Sequence, residues 1–551
     1  MTQTVADEAL GAPLIKQGYD PALTNVDLAP LSKQTWSWYN IFAFWMSDVH
    51  SVGGYVTAGS LFALGIASWQ VLIALIAGIV IVQVFANLVA KPSQVTGVPF
   101  PVINRHIFGV TGANVPAIIR GAIAIAWYGV QTYLASTALD IVFLKFWPSM
   151  ASLETHKFAG LSELGYISYA ILWVVQGAVF WRGMGAIRRF IDWAGPAVYV
   201  VMIVLCVYLV TKAGWSHLSL NLSTGPGLDP LHTFYVTINS TALVVAYFAG
   251  PMLNFGDFAR YGKSFKAVKR GNLFGLPVNY LFFSILTVVT ASATLPVYGK
   301  LITDPIQTVQ QINTPFAILL GGLTFVIATV GINIVANFIS PAFDFSNVKP
   351  QKISWRMGGM IAAVGSVLLT PWNWYDNATA IDYTLSLLGA LIGPLFGILI
   401  AGYYLVSKQR VWVDDLYTRS PAGRYWFKNG WNPNAIWSVA IGGVPAVLAV
   451  LIPTAWSSLG VGWISDYSWF IGCGLGFVAF WYLERRRPII TDLDRDLDAC
   501  RDGKSDAVMS GAAGSAVTVG SGVSAGTGAA TTADAPVADA GLAGGAAPEP
   551  A

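Results

Sequence analysis

Charge is what this 551-residue chain has least of. Only 11% of its residues are Asp, Glu, Lys or Arg, where a soluble domain carries about 25%. The net charge of +3 gives no basic surplus, so no nucleic-acid partner is expected. The chain holds 5 His and 3 Cys. Cys206, Cys473 and Cys500 show neither paired nor metal-ligand spacing. No disulfide framework or metal site is expected from them, and the first two read as small apolar side chains within helices. There is no phosphate loop of the G-x-x-x-x-G-K-[ST] kind and no nucleophile elbow. ATP hydrolysis and hydrolase chemistry are therefore unsupported, no cofactor is expected, and the chain does not read as an enzyme. Residues 1–34 are polar and contain proline, unlike a signal peptide.

What is abundant is apolar surface. Hydrophobic residues make up 55% of the chain, aromatics 13% with 21 Trp, and the mean hydropathy is +0.59. About twelve segments approach the roughly 20 residues needed to span a bilayer. They lie near 36–62, 70–92, 114–146, 167–182, 190–211, 233–255, 273–294, 315–340, 355–371, 379–404, 435–453 and 461–484. The expected fold is an all-α integral membrane protein. Of the 31 Lys and Arg, all but Lys145, Lys157, Lys212 and Lys300 fall on one side if the N-terminus is cytoplasmic. The positive-inside rule then puts both termini in the cytoplasm of a plasma-membrane protein. Residues 1–34 read as a flexible cytoplasmic arm, 35–490 as the transmembrane domain, and 491–551 as a cytoplasmic tail. From about 505 the tail is rich in Ala, Gly, Ser, Thr and Pro and reads as disordered.

The polar exceptions inside the apolar segments carry the functional argument. The middle of helix one, WMSDVHSVGGYVTAG, holds Ser47, Asp48, His50 and Ser51, followed by Gly53 and Gly54. An ionisable residue at membrane depth is costly and marks function by default. Adjacent glycines invite a broken helix, tolerated in a membrane only inside protein or along a cavity. Helix six contains Gly250-Pro251, and proline removes a backbone donor. Interrupted helices at matching positions of two five-helix halves point to an inverted repeat. Helices 1–5 and 6–10 would form it, with 11 and 12 as additions.

Two further helices are polar in their middles. Helix three, AIAWYGVQTYLASTALD, places Trp127 and Gln131 at i, i+4, and helix eight places Asn333 and Asn337 likewise. Singly, each amide reads as glue between helices. Together with the aromatics they offer stacking faces beside groups that both donate and accept. That chemistry suits a planar heterocycle bearing amide or ureide groups.

At these residues the chain resembles the nucleobase–cation symporter-1 family, the cytosine/purine, uracil, allantoin and hydantoin permeases. The resemblance runs from about residue 14 to 490. Its signposts, in order, are WMSDVHSVGGYVTAG, KPSQVTGVPFPVINRHIFGVTGANVPAIIRG, AWYGVQTYLASTALD, NFGDFARYGKS, NIVANFISPAFDF and GPLFGILIAGYYLVSKQRVWVDDLY. It implies a LeuT-type fold, a 5+5 inverted repeat with helices 1 and 6 broken, and alternating access. It also implies a ring stacked between Trp127 and Phe248 and read by Gln131, Asn337 and Asn333. The backbone around Tyr247 would offer a carbonyl.

The family's sodium pattern matches carbonyls at Ser47, His50 and Ala328 and hydroxyls at the positions of Gly331 and Ile332. Neither of the last two has a side-chain oxygen, and a hard cation that loses two of about five ligands is bound weakly. With Asp48 and His50 nearby, the coupling ion is expected to be a proton. Sodium stays open through Ser47, Ser51 or Asp48. The partners implied are a small heterocycle, a coupling cation and lipid. An amino-acid carrier of the same fold is the alternative, and it would want fewer stacking aromatics.

Overall fold

The computed structural model describes residues 13–50, 61, 65–219, 222, 228–303, 305–373, 378–455 and 462–487. A helix lies in each of the expected segments. They are α1 (Trp38–Val49), α2 (Ser68–Thr96), α3 (Asn114–Phe146), α4 (Glu163–Trp181), α5 (Met184–Ala213) and α6 (Pro230–Leu253). Then follow α7 (Phe265–Tyr298), α8 (Pro315–Val348), α9 (Trp355–Leu368), α10 (Ala378–Ile400), α11 (Pro433–Ala455) and α12 (Ser468–Glu484). Local signals set their ends. Asp229 accepts from the backbone N–H groups of Leu231 and His232 to start α6, and Ser162 accepts from that of Gly165 to start α4, as N-caps do. Gly97, at φ 72°, ends α2 in the left-handed region that glycine enters without strain.

Among the described residues, eight helices are long and apolar enough to cross a membrane: α2, α4 to α8, α10 and α11. Helix α3 is not among them although it has 33 residues, because its middle carries Trp127, Tyr128, Gln131 and Thr132. Helices α8 and α10 are the most enclosed of the eight and α11 the most exposed. Val200, Val204, Leu323 and Trp437 turn apolar side chains outward, the arrangement suited to lipid rather than water.

Small residues let the inner helices close. A Cβ on Gly397 of α10 would lie 2.0 Å from the carbonyl oxygen of Cys473 in α12, and one on Gly393 would lie 2.4 Å from that of Trp469. Both neighbours are backbone and cannot rotate away. Membrane helices rely on such close approach because no hydrophobic force draws them together. Gly397→Val is expected to cost about 1–3 kcal/mol or more by overpacking. A lower thermal midpoint of the purified protein checks this, and an unchanged midpoint would refute it.

Three expectations need correction or limits. Residues 13–34 are not a free arm. Leu28 and Ala29 are fully buried, Tyr19 stacks on Tyr417 at 4.4 Å, and Lys16 pairs with Asp414 at 2.7 Å. Burial and the Asp414 carboxylate push the Tyr19 hydroxyl above its ordinary range, so it stays protonated and donates to Asp414. Polar composition suggested freedom; long-range pairing overrides it. Second, α6 does not break at Gly250-Pro251. It carries Pro251 inside and ends at Leu253, followed by a short helix at Gly256–Ala259. Third, α1 is described only to His50, where the backbone leaves helical geometry at φ −84°, ψ 38°. Ser51, Gly53 and Gly54 lie outside the described residues, as do residues 1–12 and 488–551.

Candidate substrate and cation site

Pro251 shapes the site by what it lacks. With no N–H, it cannot donate to the carbonyl of Tyr247, four residues earlier. Helix α8 contributes a second irregularity, a wide π-type turn over Asn333–Ile339; such turns recur at functional sites. Between α3 and these two irregular stretches lies a small cavity. It is lined by Trp127 and Gln131 from α3, Tyr247, Gly250 and Pro251 from α6, Ile332, Ala336 and Asn337 from α8, with Asp48 and Arg120. Its volume is about 20 Å³, room for about one water, so a ring enters only when the walls part.

The aromatic wall is not the expected one. Trp127 faces Tyr247 edge to face, with ring centroids 5.9 Å apart and planes at 80°. Phe248 does not line the cavity. It is buried against Tyr280 at 5.6 Å. The two neighbours differ by about 100° around the α6 axis, which turns Tyr247 to Trp127 and Phe248 to Tyr280.

The amides divide into two roles. Asn333 donates to the Tyr128 carbonyl at 3.3 Å and to Thr132 Oγ1 at 3.0 Å, which ties α8 to α3 away from the cavity. Asn337 lines the cavity and donates to Asn333 Oδ1 at 3.0 Å, so Asn333 positions Asn337. Gln131 is 1% exposed, and its Oε1 has no hydrogen-bond partner among the described residues. A buried acceptor left unpaired costs about 1–3 kcal/mol, which a ligand N–H would recover.

The expected cation residues within the described part of the chain lie on α1 and α8. Ser47 faces Gly331, where a Cβ would meet the Ser47 Cβ at 3.5 Å and its Oγ at 3.7 Å. Asp48 and Ile332 instead line the substrate cavity. Ala328 lines a separate apolar cavity of about 240 Å³ between α5, α7 and α8. His50 sits in an aromatic box, edge-on to Tyr199 at 4.1 Å and stacked on Phe283 at 5.4 Å.

Reaching from the cavity wall is a charged cluster, centred on Arg120, that sequence reasoning missed. Arg120 is 1% exposed and interacts with Asp344, Asp257 and Asp48. Asn254 donates to Asp257 at 3.3 Å and to Asp344 at 3.2 Å. The Phe100 N–H donates to Asp257 at 2.7 Å. Arg120 lies near the start of the span 114–146, where its charge reads as that of an inner loop, although an intramembrane cation is itself a functional signal.

Residues 29–472 match the family model described as permease for cytosine/purines, uracil, thiamine and allantoin. The chain belongs to the nucleobase–cation symporter-1 family. It is thus a multi-pass membrane permease and not an enzyme. It is 32% identical over 480 residues to the allantoin permease of Bacillus subtilis (strain 168), covering 85% of this chain and 94% of that one. It is 32% identical over 434 residues to the purine-uracil permease NCS1 of Arabidopsis thaliana, covering 78% and 72%. Among solved structures it is similar to Mhp1, a nucleobase-cation-symport-1 transporter in a closed conformation with bromovinylhydantoin bound. The TM-score is 0.68 at 22% identity, covering 86% of this permease and 98% of Mhp1. This likeness establishes the LeuT-type helical fold.

Proposed function

We propose that this permease imports a planar nucleobase-like heterocycle, such as uracil, cytosine, a purine, allantoin or a hydantoin, by alternating access across the plasma membrane. Both termini are cytoplasmic in this reading, as the Lys and Arg bias supports. The observation that carries it is the Trp127–Tyr247 pair closing a cavity in which Gln131 Oε1 is unpaired. A flat ring bearing N–H groups satisfies both features. The names of the relatives, allantoin permease and purine-uracil permease, agree with that chemistry.

The driving ion in this reading is a proton. Gly331 and Ile332 have no side-chain oxygen, and Ile332 turns into the substrate cavity. Asp48, which can carry a proton, lines that same cavity, so its protonation is felt by the substrate directly.

A thermal-shift panel of the purified protein tests the substrate class. Uracil, cytosine, hypoxanthine, allantoin and hydantoin are compared with a set of amino acids, each with and without sodium. Stabilisation by at least one ring is expected; stabilisation by amino acids alone would overturn the reading in favour of an amino-acid carrier. Gln131→Leu should weaken binding of the stabilising ring by roughly 5- to 150-fold, the equivalent of about 1–3 kcal/mol. Unchanged affinity in the folded variant would make Gln131 a structural amide only.

A further inference from the structure

Arg120 carries more donors than its structural contacts use. Its Nε donates to the Gly250 carbonyl at 3.2 Å and its Nη2 to the Ala336 carbonyl at 2.9 Å. These bonds pin the guanidinium between α6 and the wide turn of α8. Nη1, on the same buried side chain, has no hydrogen-bond partner among the described residues, and Arg120 lines the substrate cavity. Among the described residues, the hydrogen bonds of Arg120 run to those two backbone carbonyls only, and neither uses Nη1. Two acceptors on the same cavity are in the converse state: Asp48 Oδ1 and Gln131 Oε1 are buried without a hydrogen-bond partner. One fixed donor and two acceptors around one small space form a template for a ring edge that alternates acceptor and donor.

We propose that Arg120 is a substrate-binding residue that sets specificity, with Nη1 donating a charge-assisted hydrogen bond to a ring carbonyl oxygen. The neighbouring ring N–H groups are accepted by Gln131 and Asp48. The inference rests on the heterocycle reading above and narrows it. The preferred substrates are rings in which C=O lies beside N–H, that is cyclic amides, imides and ureides. Rings whose only acceptors are aza nitrogens are disfavoured. A guanidinium that only staples helices would need Nε and Nη2 alone. The third donor, unpaired among the described residues on a side chain that lines the cavity, is the feature the staple leaves unused.

The test compares oxo rings with their thiocarbonyl counterparts, since sulfur accepts hydrogen bonds weakly. Binding of uracil, 2-thiouracil, 4-thiouracil, hydantoin and 2-thiohydantoin is measured by calorimetry on wild type, Arg120→Lys and Arg120→Gln. Wild type is expected to prefer an oxo ring over one thio counterpart by about ten- to hundredfold, the range of a charge-assisted bond. That preference should largely vanish in Arg120→Gln and be partly kept in Arg120→Lys. A merely structural arginine would weaken oxo and thio rings equally, leaving the ratio unchanged, and this result would overturn the proposal. If neither variant folds, wild type alone decides through isotope-edited infrared spectra of a bound ring with a 13C-labelled carbonyl. A carbonyl band below its position in water is expected; a band at or above it overturns the proposal. Wild type that binds none of these rings overturns the heterocycle reading itself, and this inference with it.

Discussion

Trp127→Ala is expected to raise the half-saturation concentration for uptake of the transported ring by roughly tenfold or more, with the protein still inserted at normal levels. Trp127 and Tyr247 meet edge to face at the cavity wall, so a ring that stacks between them displaces that contact and takes up both faces. Aromatic pairs contribute about 0.5–1.5 kcal/mol beyond the area they bury. Losing that together with the buried indole surface weakens binding by roughly tenfold or more. Tyr247→Ala should act in the same direction. Phe248→Ala should behave differently: this side chain packs on Tyr280 outside the cavity, so the loss falls on stability, with affinity for the ring largely kept in whatever protein folds. Concentration-dependent uptake of labelled uracil or allantoin, normalised to surface protein, separates the three variants. Wild-type half-saturation in both Trp127→Ala and Tyr247→Ala would take the aromatic pair out of the site.

The contrast between Tyr247 and Phe248 also marks where the sequence stops being legible. Trp127, Gln131 and Asn337 were readable because two aligned positions on a helix announce a face regardless of what the helix packs against. The choice between Tyr247 and Phe248 was not. It depends on how α6 is rotated about its axis against α3 and α7, and one residue of register turns a side chain by about 100°. Packing resolves this by setting Tyr247 against Trp127 and Phe248 against Tyr280. The wide turn at Asn333–Ile339, which delivers the Ala336 carbonyl to Arg120, has no residue signature at all. Arg120 itself did have one, a cation within the span 114–146, but loop-charge counting absorbed it. The packing of residues 13–34 was hidden for a different reason: its anchors, such as Lys16 with Asp414, are 398 positions apart.

The proposed proton coupling predicts the second large effect. A one-unit pH gradient is worth about 1.4 kcal/mol per proton, or tenfold accumulation. Wild type should therefore concentrate substrate in sodium-free medium, and a protonophore should collapse the gradient. Asp48→Asn cannot release a proton, so it should lose this accumulation while still exchanging labelled for unlabelled substrate, because exchange moves no net charge or proton. The position of Asp48 makes the linkage direct. It shares the cavity with Trp127, Gln131 and Arg120, so its charge state sets whether Arg120 faces a carboxylate or a neutral acid as the ring arrives. The competing ion has a definite foothold too. Ser47 Oγ, beside Gly331, and Thr329 Oγ1 are buried hydroxyls without a hydrogen-bond partner among the described residues. They are the oxygens from which a sodium site could be rebuilt, although the two hydroxyls expected at 331 and 332 are missing. Saturable dependence of uptake on sodium, indifferent to the protonophore and weakened by Ser47→Ala and Thr329→Val, would assign coupling to those oxygens and leave Asp48 as a substrate ligand.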